Sequence, residues 1–391
     1  MNGPLSGIRV IDLTINVLGP LSAQILGDMG AEVIKIETPD GDPMRSSGQS
    51  INHGMASLFM NTNRNKRSIV LDLKTPDGIE ALYRLSEKTD VFIHSLRPQA
   101  ADRLGISYSA IKKRNKNIIY AYAPGYRPDG PNCNRPAFDD VIQGESGIAG
   151  MIGRSNDEPR YIPMIIADKF CGHVLASAIG MALFSRERTG QGQEVVVPMM
   201  ETMLSFNLVE HLWTDFHTET TQELGYARMF SPHRKPYATK DGHICMLAVS
   251  DDQWRRLFKV IGRAELATDN RFSDLKARTQ NINELYSMLA ESVATKTTAE
   301  WQRLLDEADL PNGAVAKFNE MSTNKYLTET KFFHHYQHPS EGPMVTTSIP
   351  VTFGETPGSI RLPPPRLGEH TGEVLKEIGY SESEINSIIK H

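Results

Sequence analysis

The sequence predicts an α/β protein: a large domain on a parallel sheet, plus a smaller α+β domain. Three observations carry this. Short apolar runs alternate with helical patterns through the first half, as strand–helix–strand units do. Those runs are apolar throughout rather than every second residue, which fits strands buried on both faces. Near residue 215 the chain turns polar and poorly periodic, and a hairpin signal with several helices follows. At 391 residues the chain has room for one large domain and one smaller one.

"IRVIDL" is the first strand, "GPLSAQILGDMG" a helix with a glycine stop, and "EVIKIE" the second strand. The pattern repeats with "SIVLDL", then "TPDGIEALYRLSEK" with Pro76 early in the helix, then "DVFIHS" and "NIIYAYAPG". Next comes "YIPMIIADKFCGH", an apolar run ending in one carboxylate, Asp168, from which a helix runs to about Arg188. "TGQGQ" turns the chain, "EVVVP" returns as a strand, and "METMLSFNLVEHLW" is helical. Beyond the polar stretch, "KPYATKDGHICMLAV" reads as a hairpin turning at Asp241-Gly242. Three helices and a tail of strand-like pieces, a proline-rich segment and two short helices complete the chain. The expected layout is residues 1–215 and 330–391 for the large domain and 230–325 for the small one. Linkers are expected at 216–229 and 326–345.

The net charge of −5 disfavours a general nucleic-acid binder. Three irregularly spaced cysteines, Cys133, Cys171 and Cys245, suggest neither a disulfide framework nor a zinc site. The N-terminal stretch lacks the look of a signal peptide, and no uninterrupted apolar run approaches a membrane span of roughly 20 residues. A soluble cytoplasmic protein is expected. The dinucleotide glycine fingerprint, the Walker A loop and the nucleophile elbow are all missing. His334, His335 and His338 in "FFHHYQHP" invite a metal reading, but an exposed polar loop is expected and no metal is assigned.

Asp168 reads two ways. Aspartate is a favoured helix N-cap. A carboxylate leaving an apolar run is also poorly solvated, which raises its energy as an anion and suits it to chemistry. Gly172, Ala176 and Gly180, four apart, make a smooth helix face open to close packing, against another chain among other partners.

Several stretches line up with one family. "PLSGIRVIDLT", "LGDMGAEVIKIE", "NRNKRSIVLDLKTPDG", "RPQAADRLGI", "RPAFDDVIQGESGI", "IADKFCGHVLASAIGMALFSRERTGQGQEVVVPMME" and "PPPRLGEHTGEVLKEIGY" resemble the class III CoA-transferases. These include formyl-CoA transferase, carnitine CoA-transferase and α-methylacyl-CoA racemase. The resemblance covers nearly the whole chain and is weakest between about 200 and 345. It implies a Rossmann-like large domain completed by both termini, a small domain, and an interlocked homodimer. It implies that Asp168 is the catalytic aspartate, following an apolar strand, and that it passes through an acyl anhydride and an aspartyl-CoA thioester. CoA, bound as acyl-CoA, is implied as substrate together with a small carboxylic acid, with no metal or redox cofactor.

The implied CoA contacts are Val17 and Leu18, then Leu71 and Lys74, then Ser95, Leu96 and Arg103. Lys74 and Arg103 match family cations that pair with phosphate. Thr38 stands where formyl-CoA transferase has an arginine, and Asn65-Lys66-Arg67 matches a family motif of structural or other role. The racemases pair the aspartate with a histidine; Phe138 stands in that place and carries no proton. This favours CoA transfer over racemisation, and a non-catalytic CoA-binding protein is a third reading. Phe138, Arg135, His233 and Arg234 are the candidates for holding the acyl group. The cations are compatible with a dicarboxylic acid such as succinate.

Overall fold

In the computed structural model, residues 3–156, 158–212 and 224–390 are described. Six strands make one sheet: β1 Arg9–Leu13, β2 Glu32–Glu37, β3 Lys66–Val70, β4 Val91–His94, β5 Ile119–Tyr122 and β6 Glu194–Val196. Their order is β3-β2-β1-β4-β5-β6, and each neighbouring pair is parallel. The chain steps outward from β1 to β3, then returns past β1 to lay down β4, β5 and β6. Connections therefore leave β1 and β4 in opposite directions. Such a switch point opens a crevice at the carboxyl ends of the two strands.

The strands form because their side chains are buried: Val10, Ile11, Val33, Ile34, Val91 and Phe92 are almost wholly inaccessible. One face of the sheet carries a core shared with the helix Pro76–Ser86 and with Val374, Leu375 and Ile378 near the C-terminus. Pro76 does open that helix, and the Thr75 hydroxyl caps it by accepting from the Gly78 amide at 3.1 Å.

β3 starts two residues before the predicted apolar run. Lys66, which looks like a surface residue in sequence, is fully buried, and its Nζ donates to Asp12 Oδ2, the Pro20 carbonyl and Asn63 Oδ1, each at 2.8 Å. Lys35 Nζ likewise donates to the Thr14 carbonyl (2.8 Å) and Asp42 Oδ2 (3.0 Å). Burial alone would penalise the Asp12 charge, but Lys66 and Lys35 outweigh it and hold its pKa below the ordinary range. Asn65-Lys66-Arg67 is thus a structural motif: Asn65 bonds Asp28 and the Ser359 carbonyl, and Arg67 pairs with Glu32, Glu373 and Glu377.

The helix Leu18–Asp28 packs against the helix Ile166–Thr189. Gly172 makes the approach possible, since a Cβ there would lie 2.7 Å from the Leu18 carbonyl oxygen. The small-residue face is therefore used at Gly172 within the same chain, whereas Gly180 has open space around it. Ile166–Thr189 is also long and apolar enough to cross a membrane by length and composition, although Asp168 and Lys169 interrupt its apolar run. Its Cys171, Leu175, Ile179 and Leu183 are buried in the protein. Gly190, at φ 71°, ends it in a left-handed cap.

Three further expectations are corrected. No strand precedes Asp168: residues 161–165 are irregular, and Pro163 withholds a ladder donor. The expected linker 326–345 carries the helix Lys325–Glu329 and an antiparallel hairpin. The histidines lie on that hairpin rather than in an exposed loop, and His338 is buried with Nε2 2.9 Å from the Pro364 carbonyl. Alternating polar side chains on a two-stranded ribbon disguise it as loop. Among the described residues no three His, Cys, Asp or Glu side chains are grouped to hold a metal. Of the expected linker 216–229, residues 216–223 lie outside the described ones, and Ala227–Phe230 is a short 3-10 turn.

The chain divides into two compact units: Met1–Ile148, Tyr161–Phe206 and Lys331–His391 in the first, Ala149–Arg160 and Asn207–Thr330 in the second. The second unit has a three-stranded antiparallel sheet, β7 Tyr237–Ala238, β8 His243–Met246 and β9 Asn312–Ala314. The β7–β8 turn closes with the Thr239 amide donating to the Gly242 carbonyl at 3.0 Å. Helices Asp251–Val260, Ile282–Val293 and Thr298–Glu307 surround a core of Trp254, Phe258, Leu285 and Trp301. Capping boxes start the first and last of these helices, at Ser250/Gln253 and Thr297/Glu300. The two strands of the hairpin in the first unit are β10 Phe333–His338 and β11 Gly342–Thr347.

Candidate active site

The crevice predicted by the strand order exists. A cavity of about 290 Å³ is lined by Ile15, Asn16 and Leu18 after β1, by Ser95, Leu96, Arg97 and Ala100 after β4, and by Ala123, Pro124 and Gly125 after β5. Arg135, Pro136, Ala137, Phe138, Met199 and Asp168 complete the wall. Six of the residues singled out in sequence thus meet in one place: Leu18, Ser95, Leu96, Arg135, Phe138 and Asp168.

The loop after β1 is held by the buried charges beneath it. Lys35 fixes the Thr14 carbonyl, and Asp42 Oδ1 accepts from the Asn16 amide at 3.2 Å. Asn16 itself sits at φ 66°. Asparagine tolerates that left-handed region better than most side chains, and non-glycine residues held there cluster at functional sites.

Asp168 is not the helix cap. The helix begins at Ile166 after Ile165, so Asp168 is its third residue. The Asp168 amide, one of the orphan donors of a helix start, gives its hydrogen to Asp139 Oδ1 at 3.0 Å. Asp139 is the first residue of another helix, Asp139–Glu145, and is locked by Gln143, whose Nε2 donates to Asp139 Oδ2 (2.6 Å) and to the Met164 carbonyl (3.1 Å). Asp139 therefore takes the donor that would otherwise steady a carboxylate at this helix end. The Asp168 carboxylate has no hydrogen-bond donor among the described residues. Burial, and secondarily the Asp139 charge, pushes its pKa from the ordinary 3.8 up to about 7. Its charged form is thus poorly solvated and, among the described residues, unpaired.

Apart from Asp139, the Cys171 and His173 side chains next to Asp168 form no nucleophile–base pair with it among the described residues. The Cys171 thiol is pushed up to about 12 by burial and by the Asp168 and Asp139 charges. His173 is exposed and its Nδ1 faces the Lys169 carbonyl at 2.8 Å, so no Cys–His pair forms. Among the described lining residues the ionisable side chains are Asp168, Arg97 and Arg135. Arg135 is already paired with Glu145, which also accepts from the Tyr126 hydroxyl at 2.8 Å. Arg97 donates to the Asn134 carbonyl at 2.8 Å and has no carboxylate partner among the described residues.

The other candidates lie elsewhere. Val17 is buried at the N-cap of its helix, and Leu71, 1% exposed, is part of the core under the sheet. Lys74 and Arg103 are exposed charges outside this lining. His233 is half-buried and Arg234 exposed, both in the second unit, where Arg234 lines a different cavity. Reading the sequence missed Asn16, Arg97 and Asp139. The strand-end positions of Asn16 and Arg97 were a usable signal, because the switch point recruits the residues that follow β1 and β4. Nothing in the spacing links Asp139 to Asp168.

Comparison with known proteins identifies the family. The profile of CoA-transferase family III matches residues 5–371. The chain is 33% identical over 393 residues to a probable fatty acyl-CoA transferase of Mycobacterium tuberculosis, covering 95% of this chain and 97% of that one. It is 29% identical over 390 residues to (R)-2-hydroxy-4-methylpentanoate CoA-transferase of Clostridioides difficile, covering 98% and 97%. The orthorhombic crystal structure of the Mycobacterium tuberculosis protein superposes with a TM-score of 0.83 at 30% identity, over 95% of this chain and 99% of that one. With a family match across nearly its whole length, and relatives named as CoA-transferases, this chain belongs to CoA-transferase family III and is an enzyme of that kind.

Proposed function

We propose that this enzyme moves CoA from an acyl-CoA to an apolar monocarboxylic acid, with Asp168 as nucleophile. An Asp168 oxygen attacks the thioester carbonyl, the C–S bond breaks, and CoA leaves as thiolate. The thiolate then attacks the Asp168 carbonyl carbon of the mixed anhydride, releasing the donor acid and leaving an aspartyl-CoA thioester. The acceptor carboxylate displaces the thiolate again, and the thiolate attacks the acceptor's carbonyl, which frees Asp168. A carboxylate is a weak nucleophile, so desolvation and positioning must activate it. The observation that carries the proposal is the unpaired Asp168 carboxylate at the switch-point cavity.

An apolar acyl group is supported by Ile15, Leu18, Leu96, Phe138 and Met199 in the lining. The pairing of Arg135 with Glu145 leaves that cation spoken for, which argues against a dicarboxylic acid there. Arg97 is suited to a CoA phosphate. The racemase reading needs a second proton carrier, and Phe138 occupies that position. A cytoplasmic homodimer is part of the proposal. Exposed Met181 and Phe184 on the Asp168 helix support an interface with a second copy.

Hydroxylamine tests the reaction, because it traps an activated carboxylate as a hydroxamate. Incubation with acyl-CoAs of graded length, then peptide mass mapping, is expected to label Asp168 and to label nothing in a folded Asp168→Ala variant. Exchange of α-protons with deuterated water, with no label at Asp168, would refute nucleophilic transfer in favour of racemisation.

A further inference from the structure

The second unit holds a cavity of about 280 Å³ that shares no described lining residue with the Asp168 cavity. Its wall is built from side chains that also belong to the core, notably Tyr237, Trp254, Leu257 and Tyr286. Among the described lining residues the charged ones are Arg228, Arg234 and Lys235, with no aspartate or glutamate. In a chain of net charge −5, three cations around one apolar hollow form a local field of the opposite sign.

No carboxylate pairs with these cations among the described residues. Arg228 is oriented by its Nε donating to the Tyr286 hydroxyl at 2.7 Å, and it has no carboxylate partner among the described residues. The Arg234 and Lys235 side chains make no ion pair or hydrogen bond among the described residues, and both are exposed. An apolar wall beneath unpaired donors matches a ligand with an apolar body and one anionic end. The hollow is too small for a long chain and has no second polar cluster to receive another charged end.

We propose that this cavity binds a carboxylic acid with a short aliphatic or aromatic body. The carboxylate pairs with Arg234 and Lys235, and the body lies against Trp254 and Leu257. The inference is independent of the reaction assigned to Asp168.

Cys245 lines the same cavity and is exposed, so its alkylation reports occupancy. The full-length protein is treated with iodoacetamide in the presence of hexanoate, phenylacetate, hexanamide, inorganic phosphate or CoA, and the modified peptides are quantified. Both carboxylates are expected to slow Cys245 alkylation without changing Cys133, and hexanamide is expected to have no effect. In Arg234→Gln/Lys235→Gln the protecting concentration is expected to rise about tenfold, the loss of two solvated charge contacts. In Asp168→Asn protection is expected to be unchanged, which separates this site from the one at the switch point. Protection by phosphate or CoA but not by the acids, equal protection by acid and amide, no protection by any probe, or full protection in the double variant each overturns the proposal.

Discussion

Replacing Asp168 by asparagine should stabilise the folded protein, and more so as pH rises. The carboxyl titrates near 3.8 ordinarily and near 7 here, chiefly through burial. Each pKa unit is worth about 1.4 kcal/mol, so keeping the group ionised in the folded state costs about 4 kcal/mol. Water reaching its partly exposed side lowers this to about 2 kcal/mol. The direction follows from proton linkage. Between pH 4 and 7 the folded state holds the proton that the unfolded chain has released, so stability falls as pH rises through that window. Above about pH 7 both states are ionised and the whole penalty is present. Asparagine is isosteric, does not titrate, and forfeits no hydrogen bond, because the carboxylate accepts none among the described residues. Urea unfolding of both proteins, at one fixed protein concentration from pH 5 to 8.5, should give a difference that grows to about 2 kcal/mol. A variant equal to or weaker than the parent at pH 8.5 would refute the claim that Asp168 is a strained, desolvated anion.

Three other outcomes are expected. Asp139→Asn keeps an acceptor for the Asp168 amide but removes the neighbouring charge, so the pH midpoint for hydroxamate formation should fall while staying well above 3.8, since burial is the larger cause; an unchanged midpoint would remove Asp139 from the account. Lys35→Met leaves Asp42 buried without its ammonium and frees the Thr14 carbonyl. It should lose about 3–5 kcal/mol in urea unfolding and weaken acyl-CoA turnover by loosening the Asn16 loop. Gly172→Ala puts a methyl 2.7 Å from the Leu18 carbonyl; it should lose about 1–3 kcal/mol, and thermal melting with no change would show that the two helices part at no cost.

Asp168 shows how far local reading reaches. Its type, its apolar approach and the helix after it were visible in the chain, and the family resemblance singled it out. Whether it capped the helix or stood free was not visible, because the answer depends on Asp139, 29 residues away, taking the amide. Leu71 and Val17 fared differently. Their place after strands and the family pattern made them contact candidates, but inward-facing side chains at strand ends and helix starts look the same in sequence as those facing a crevice.

The sequence alone determined the alternation of elements, because apolar runs and helical periodicity are local properties that burial on a parallel sheet demands. It also determined the helix start at Pro76 and a hairpin near Asp241, where turn and cap chemistry act within a few residues, although the strand register centres the turn on Lys240-Asp241 rather than on Asp241-Gly242. Tertiary structure decided the rest. It set the strand order and so the crevice, buried Lys35 and Lys66 as the frame beneath it, made a ribbon of polar histidines, and raised the pKa of Asp168. The physical reason is that ion pairing, desolvation and side-chain direction depend on neighbours brought together from distant parts of the chain.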